Sequence, residues 1–181
     1  ITMSVGGTWG KLLHVDLSES KIWVEEPSDD IYLKLAGGRG LASYLLLRDM
    51  PAGADPLGPE NVLIFSPGPL QGSNLPGSGR HGVAGKSPLT GGIKEANAGG
   101  QAGQVLARAG YAAIVVEGAP ENGDLYKLIV TKDGATFAKA DDLKGLGNYD
   151  TVEKLVKKHG HKVAYMSIGQ AGEMKMAAAS I

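Results

Sequence analysis

WGKLLHVDLSESKIWVEE, residues 9–26, decides the fold class. Residues 9–17 read as a strand. Residues 20–26 do the same, and Ser18-Glu19 between them suit a tight turn. The pair is therefore a hairpin, and a hairpin makes the sheet antiparallel where it lies.

Outward from there the chain keeps switching between the two periods. Asp29-Asp30 are placed to cap a short helix through Ala36, which Gly37-Gly38 would stop. A longer helix is expected from Gly40 to Met50, ended by Pro51. VLIFSP at 62–67 and YAAIVVEG at 111–118 are short apolar runs, as buried strands are. HGVAGK at 81–86 reads as another strand after a Pro/Gly loop over 67–79. A helix is expected from Gly99 to Ala109. LYKLIVTKDGATFAKA at 125–140 is a second hairpin around Asp133-Gly134. Asp150 or Thr151 would cap an amphipathic helix with Val152, Leu155, Val156 and His159 on one stripe. VAYMSIG at 163–169 and MKMAAASI at 174–181 are expected to be the last strands. Hairpin-linked strands between helices give an α+β fold with a mostly antiparallel or mixed sheet. The recurrence of hairpin, helix and strands in both halves suggests an internal duplication.

Composition narrows the chemistry. The 181 residues carry a net charge of −1, so no electrostatic footprint points to nucleic acid or an anionic membrane. There is no cysteine, which removes disulfides, thiolate zinc and thiolate-held clusters from this segment. No apolar run reaches the roughly 18 residues of a membrane span. The four histidines form no H-E-x-x-H pattern.

Nine glycines fall within residues 77–103, around the single arginine Arg80. GSGRHG at 77–82 fits G-x-G-x-x-G formally, but a dinucleotide fingerprint needs a strand directly before it and a helix directly after. Here a Pro/Gly loop precedes and HGVAGKSPLTGG follows. GKS at 85–87 is no P-loop, because the required first glycine is Arg80 and Pro88 interrupts the helix. Glycines let backbone amides reach a ligand that a Cβ would hold away. Arginine adds a rigid, permanently charged fork. A helix starting near Gly99 would turn its positive end, with Asn97 and Ala98, toward an anion. The pattern fits a large, flat or anionic ligand. It also fits the plainer alternative, in which the glycines only turn the chain and Arg80 pairs with a surface carboxylate.

Four stretches resemble the N-terminal domain of the tungsten-containing aldehyde ferredoxin oxidoreductases. They are WGKLLHVDLSESKI, GGRGLASYLLL, DPLGPENVLIFSPGPLQGS with GRHGVAGKSPLTGGIKEANAGG, and RAGYAAIVVEG with SIGQAGEMKMAAASI. The resemblance implies that residues 1–181 form one pterin-supporting domain, a fragment of a longer chain and inactive alone. Arg80 falls at the arginine between pterin and iron–sulfur cluster. Asn97 falls at the asparagine whose backbone carbonyl helps bind the magnesium that bridges the pterin phosphates. Ala98 lies beside it, and Gly99 falls at a glycine whose backbone contacts the pterin. Implied cofactors are a tungsten (or molybdenum) bis-pyranopterin, magnesium, and a 4Fe-4S cluster held by cysteines outside this segment. Implied partners are the C-terminal domains of the same chain, ferredoxin and a small aldehyde, in the cytoplasm, with a homodimer left open.

The full protein would oxidise aldehydes to carboxylic acids. A family relative acting on an aromatic acyl-CoA or a keto acid, and a non-redox module for a phosphate ligand, are the alternatives. Two positions depart from the pattern the resemblance implies: His81 stands where a bulkier, often aromatic residue is expected, and Gly82 is smaller than its usual counterpart. Lys86 and Ser87 read as turn or surface residues, with phosphate contact the alternative; Arg39 reads as an anchor of its helix start or of a domain interface, with a ligand role the alternative; Asp141-Asp142 read as a solvated turn, and Trp9, Trp23 and Met166 as core.

Overall fold

The computed structural model describes residues 10–179. Strands β1 (Leu12–Asp16) and β2 (Lys21–Glu25) form the expected antiparallel hairpin. Helices α1 (Asp29–Leu35) and α2 (Gly38–Asp49) follow. Then come β3 (Leu63–Pro67), β4 (His81–Lys86), β5 (Ile93–Ala98), α3 (Ala102–Arg108) and β6 (Ala113–Glu117). The second hairpin is β7 (Tyr126–Thr131) with β8 (Gly134–Lys139), followed by α4 (Asn148–His159) and the single turn α5 (Gln170–Glu173).

Six strands make one mixed sheet in the order β2-β1-β6-β3-β4-β5. Only β1 and β6 run parallel. They sit inside the sheet and are covered on both faces, which is why LLHV and AIV are continuously buried rather than alternating. One face carries Leu12, Ile64, Ala84 and Val115 and packs under Leu41, Leu45 and Leu46 of α2. The other carries Leu13, Val15 and Ile114 and meets Leu106 of α3 and Leu128, Val130 and Phe137 of the second hairpin. Each of these large side chains stabilises the fold by roughly 1.5–3 kcal/mol when fully buried. The hairpin and helix order of the first half returns in β7, β8 and α4, whose sheet is two-stranded among the described residues.

Several expectations are corrected. Helix α3 starts at Ala102, not Gly99, because Gly100 has φ +94°, outside the helical region. IKEANA is a strand: the SPLTGG turn, closed by Ser87 N–H to Gly92 O at 2.8 Å, folds β5 back onto β4. Helices α1 and α4 start one or more residues before their expected caps, at Ser28 and Gly147. Residues 163–169 form no strand, and turns take up most of 174–179. Their residues favour strands, yet a strand exists only through a partner, and the Tyr165 hydroxyl instead donates to Gly160 O (2.7 Å) near the end of α4. Trp23 is 36% and Met166 44% exposed, so neither is core. Trp23 lies on an edge strand and stacks on buried His14 with centroids 4.8 Å apart. Trp9, Ser180 and Ile181 lie outside the described residues.

Candidate functional site

The β4–β5 pairing assembles the site. His81 lies opposite Ala98, and Gly82 opposite Asn97. Arg80 therefore enters β4 at the end where Asn97, Ala98 and Gly99 leave β5, at the outer edge of the sheet. The structure brings all four predicted residues to one strand end. It does not place them at a helix N-terminus, since α3 begins three residues beyond Gly99 and has only seven residues.

Arg80, Asn97 and Gly99 are exposed and Ala98 is half-buried. Among the described residues Arg80 makes no ion pair, so the surface-carboxylate alternative finds no partner there. At Gly77, Gly79, Gly99 and Gly100 no heavy atom comes within 4 Å of where a Cβ would stand. The backbone on those sides faces open space, which is what close approach of a large ligand requires.

The loop before Arg80 is held from α3. Gln104 Oε1 accepts from Gly72 N–H (2.8 Å), its Nε2 donates to Ser78 Oγ (3.3 Å), and Arg108 Nε donates to Gly72 O (3.3 Å). Beneath the loop, Gln71 (1% exposed) and His81 (4%) are buried. Neither atom of the Gln71 amide, nor His81 Nδ1, has a partner. Burial holds the His81 imidazole below its ordinary value, so it is the neutral ring that sits there. Gly103 lies against both: a Cβ there would stand 2.9 Å from His81 Cβ.

Lys86 and Ser87 have structural tasks, as expected. Lys86 Nζ donates to the carbonyls of Ala52 (3.2 Å) and Ala54 (2.6 Å), and Ser87 Oγ accepts the amides of Leu89 and Thr90. Arg39 anchors α2 by pairing with Glu95 of β5 at 2.8 Å. Glu95 was not singled out by the sequence; the signal that could have found it is the SPLTGG turn, which makes IKEANA a strand and sets Glu95 two residues before Asn97. Asp142 is exposed and takes Lys127 at 2.7 Å, which holds its carboxyl low. Among the described residues no group of three or more His, Asp and Glu side chains is placed to hold a metal ion. An apolar cavity of about 480 Å3 lies between the sheet's α3 face and the β7–β8–α4 unit, and none of the four predicted residues lines it.

A family model described as "Aldehyde ferredoxin oxidoreductase, N-terminal domain" matches residues 12–181. The chain belongs to this family. It is 45% identical over 168 residues to the tungsten-containing aldehyde ferredoxin oxidoreductase of Thermococcus kodakarensis, covering 92% of this chain and 27% of that protein. The same-named protein of Pyrococcus furiosus is 44% identical with the same coverage. An aliphatic sulfonate oxidoreductase, WOR-like subunit, of Pyrococcus furiosus is 31% identical over 188 residues, 95% of this chain and 30% of that one. Among solved structures, the active site complex BamBC of benzoyl coenzyme A reductase with 1,5-dienoyl-CoA superposes with TM-score 0.80 at 30% identity, over 84% of this chain and 23% of that one. The chain thus spans about a quarter of the length of its aldehyde ferredoxin oxidoreductase relatives. Among the described residues no helix is long and apolar enough to cross a membrane.

Proposed function

We propose that residues 1–181 act as one domain supporting a tungsten bis-pyranopterin, and that the full protein oxidises aldehydes to carboxylic acids with ferredoxin as acceptor. The observation that carries this reading is the β4–β5 register, which sets Arg80 beside Asn97, Ala98 and Gly99 on an open strand end. These residues suit such a group: a guanidinium without an ion pair among the described residues, and glycine backbone with nothing within 4 Å of where side chains would be. Arg80 would offer its guanidinium fork to the cofactor, and cysteines elsewhere in the chain would hold a 4Fe-4S cluster. The Asn97 carbonyl would hold the magnesium, and the backbone of Ala98 and Gly99 would bind the pterin. When bound, the cofactor supplies the redox chemistry. The residues of this chain bind, orient and leave room for it.

The test is Gly99→Val in the full-length protein. Gly99 has no neighbour within 4 Å of a Cβ and no left-handed φ, so valine fits the fold but fills the space assigned to the pterin. Expected are normal folding and loss of tungsten and of aldehyde-dependent ferredoxin reduction. Full tungsten in this variant overturns the site. A second reading, reduction of an aromatic acyl-CoA, draws on the likeness to the benzoyl coenzyme A reductase complex. The aldehyde reading is favoured by 45% against 30% identity. Wild-type protein that carries tungsten, ignores aldehydes and turns over a CoA thioester would reverse that choice.

A further inference from the structure

We propose that Arg39 and Glu95 form a clamp that positions the cofactor-bearing end of β5; the proposal rests on the reading of Asn97–Gly99 given above. Strand β5 is one of the two outer strands of the sheet and, among the described residues, pairs with β4 alone. Its sequence, IKEANA, has little intrinsic tendency to be a strand. An outer strand of this kind opens easily, and opening would displace Asn97, Ala98 and Gly99 together.

Among the described residues one side-chain hydrogen-bonding partner ties β5 to another element. Arg39, at the start of α2, donates from Nε (3.0 Å) and Nη2 (2.8 Å) to Glu95 Oε2. Glu95 is two residues from Asn97, so both side chains leave the same face of the strand. The Glu95 side chain is 15% exposed and that of Arg39 70%. Glu95 Oε1 is buried without a partner, lying 3.3 Å from where a Cβ of Gly82 would stand. The carboxylate is thus already short of donors, and Arg39 is what compensates its charge. Gly82 makes this geometry accessible: a larger residue there would press on the carboxylate.

The two halves of the clamp are unequal. Removing Arg39 leaves a largely buried carboxylate uncompensated. Neutralising Glu95 only returns an exposed guanidinium to water. Arg39→Gln should thus loosen β5 more than Glu95→Gln does.

The experiment uses the full-length protein as purified with its metal. It compares wild type, Arg39→Gln, Arg39→Lys, Glu95→Gln, the charge-reversed Arg39→Glu/Glu95→Arg pair, and Gly99→Val. Amide exchange over residues 93–98, tungsten per chain and unfolding temperature are read for each. In Arg39→Gln, exchange at 93–98 should rise about tenfold, as expected for losing a charge-assisted hydrogen bond. Tungsten retention should fall while the unfolding temperature moves little. Glu95→Gln should rise less, and the reversed pair should recover part of the loss. Arg39→Lys keeps the charge without the fork and provides the same readout if Arg39→Gln does not fold.

Exchange at 93–98 that is unchanged in both Arg39 variants overturns the clamp, even if Gly99→Val loses tungsten. Tungsten retained by Gly99→Val overturns the cofactor site instead, and the exchange data then still decide whether the clamp exists. A fall in unfolding temperature with uniform exchange throughout the chain would make the pair merely structural.

Discussion

Gly40 and His81 show how far single residues can be pushed. Gly40 sits where α1 meets α2, and a Cβ there would stand 2.5 Å from the Leu35 carbonyl oxygen. A backbone atom cannot swing aside. Gly40→Ala should therefore cost roughly 1–3 kcal/mol as an overpacked site, despite alanine's better helix propensity. Gly53→Ala, with nothing within 4 Å, should change little; urea midpoints of the two variants make the comparison. His81 gives a pH dependence. Its folded value is lowered by burial from an unfolded value near 6.5. The unfolded chain therefore takes up a proton that the folded chain resists. The His81 contribution is complete above about pH 6.5 and is lost as pH falls through the lowered folded value. The urea midpoint should drop between about pH 7 and pH 5, and His81→Phe should flatten that slope. An unchanged slope would assign the acid sensitivity to other groups.

Among elements, the outer strand β2 is tied to α2 by charge. Arg48 donates to both carboxylate oxygens of Glu25 (2.7 and 2.9 Å), and buried His14 meets the same carboxylate at 2.8 Å. The Arg48 hydrogen bond, before that of His14, holds the Glu25 carboxyl below its usual range, against desolvation. Glu117 nearby is raised by burial. Arg48→Met removes the guanidinium from among Glu25, Asp49 and Glu117. It should cost about 1–2 kcal/mol near neutral pH, discounted because both partners are about a third exposed. The cost should shrink in acid, as Glu25 becomes protonated, and chemical denaturation at two pH values measures it. Elements like these differ in how legible they were. Both hairpins could be read, because Ser18-Glu19 and Asp133-Gly134 mark turns between runs rich in apolar and β-branched residues. β5 could not, because Ala, Glu, Lys and Asn disfavour strands and only pairing with β4 makes IKEANA one. Residues 163–169 failed in the opposite way: the composition suits a strand, but no partner is present among the described residues. At the candidate site, Arg80 stood out against bare glycine, whereas Glu95 is one acidic residue among nineteen until the register sets it beside Arg39.

Over the whole molecule the two faces of the sheet are finished unequally. The α2 face is a closed core. The α3 face carries the apolar cavity, walled by Val163–Ile168, and Met166 and Ile168 remain 44% and 52% exposed. Backbone without ladder bonds opens at little cost. Amides of residues 163–168 should thus exchange much faster than those of β6, which is bonded on both sides; equal protection would mean that the segment has pairing this account lacks. The candidate site sits at the β5 edge, away from this cavity. Its glycines clear backbone, and Arg80 supplies a charge unpaired among the described residues. The central claim, that this edge supports a tungsten pterin beside an iron–sulfur cluster, is tested most directly by elemental analysis. The sample is full-length native protein purified without oxygen. The account predicts about one tungsten and about four irons per chain, the latter for a single 4Fe-4S cluster. Folded, intact protein free of tungsten, molybdenum and iron would contradict it.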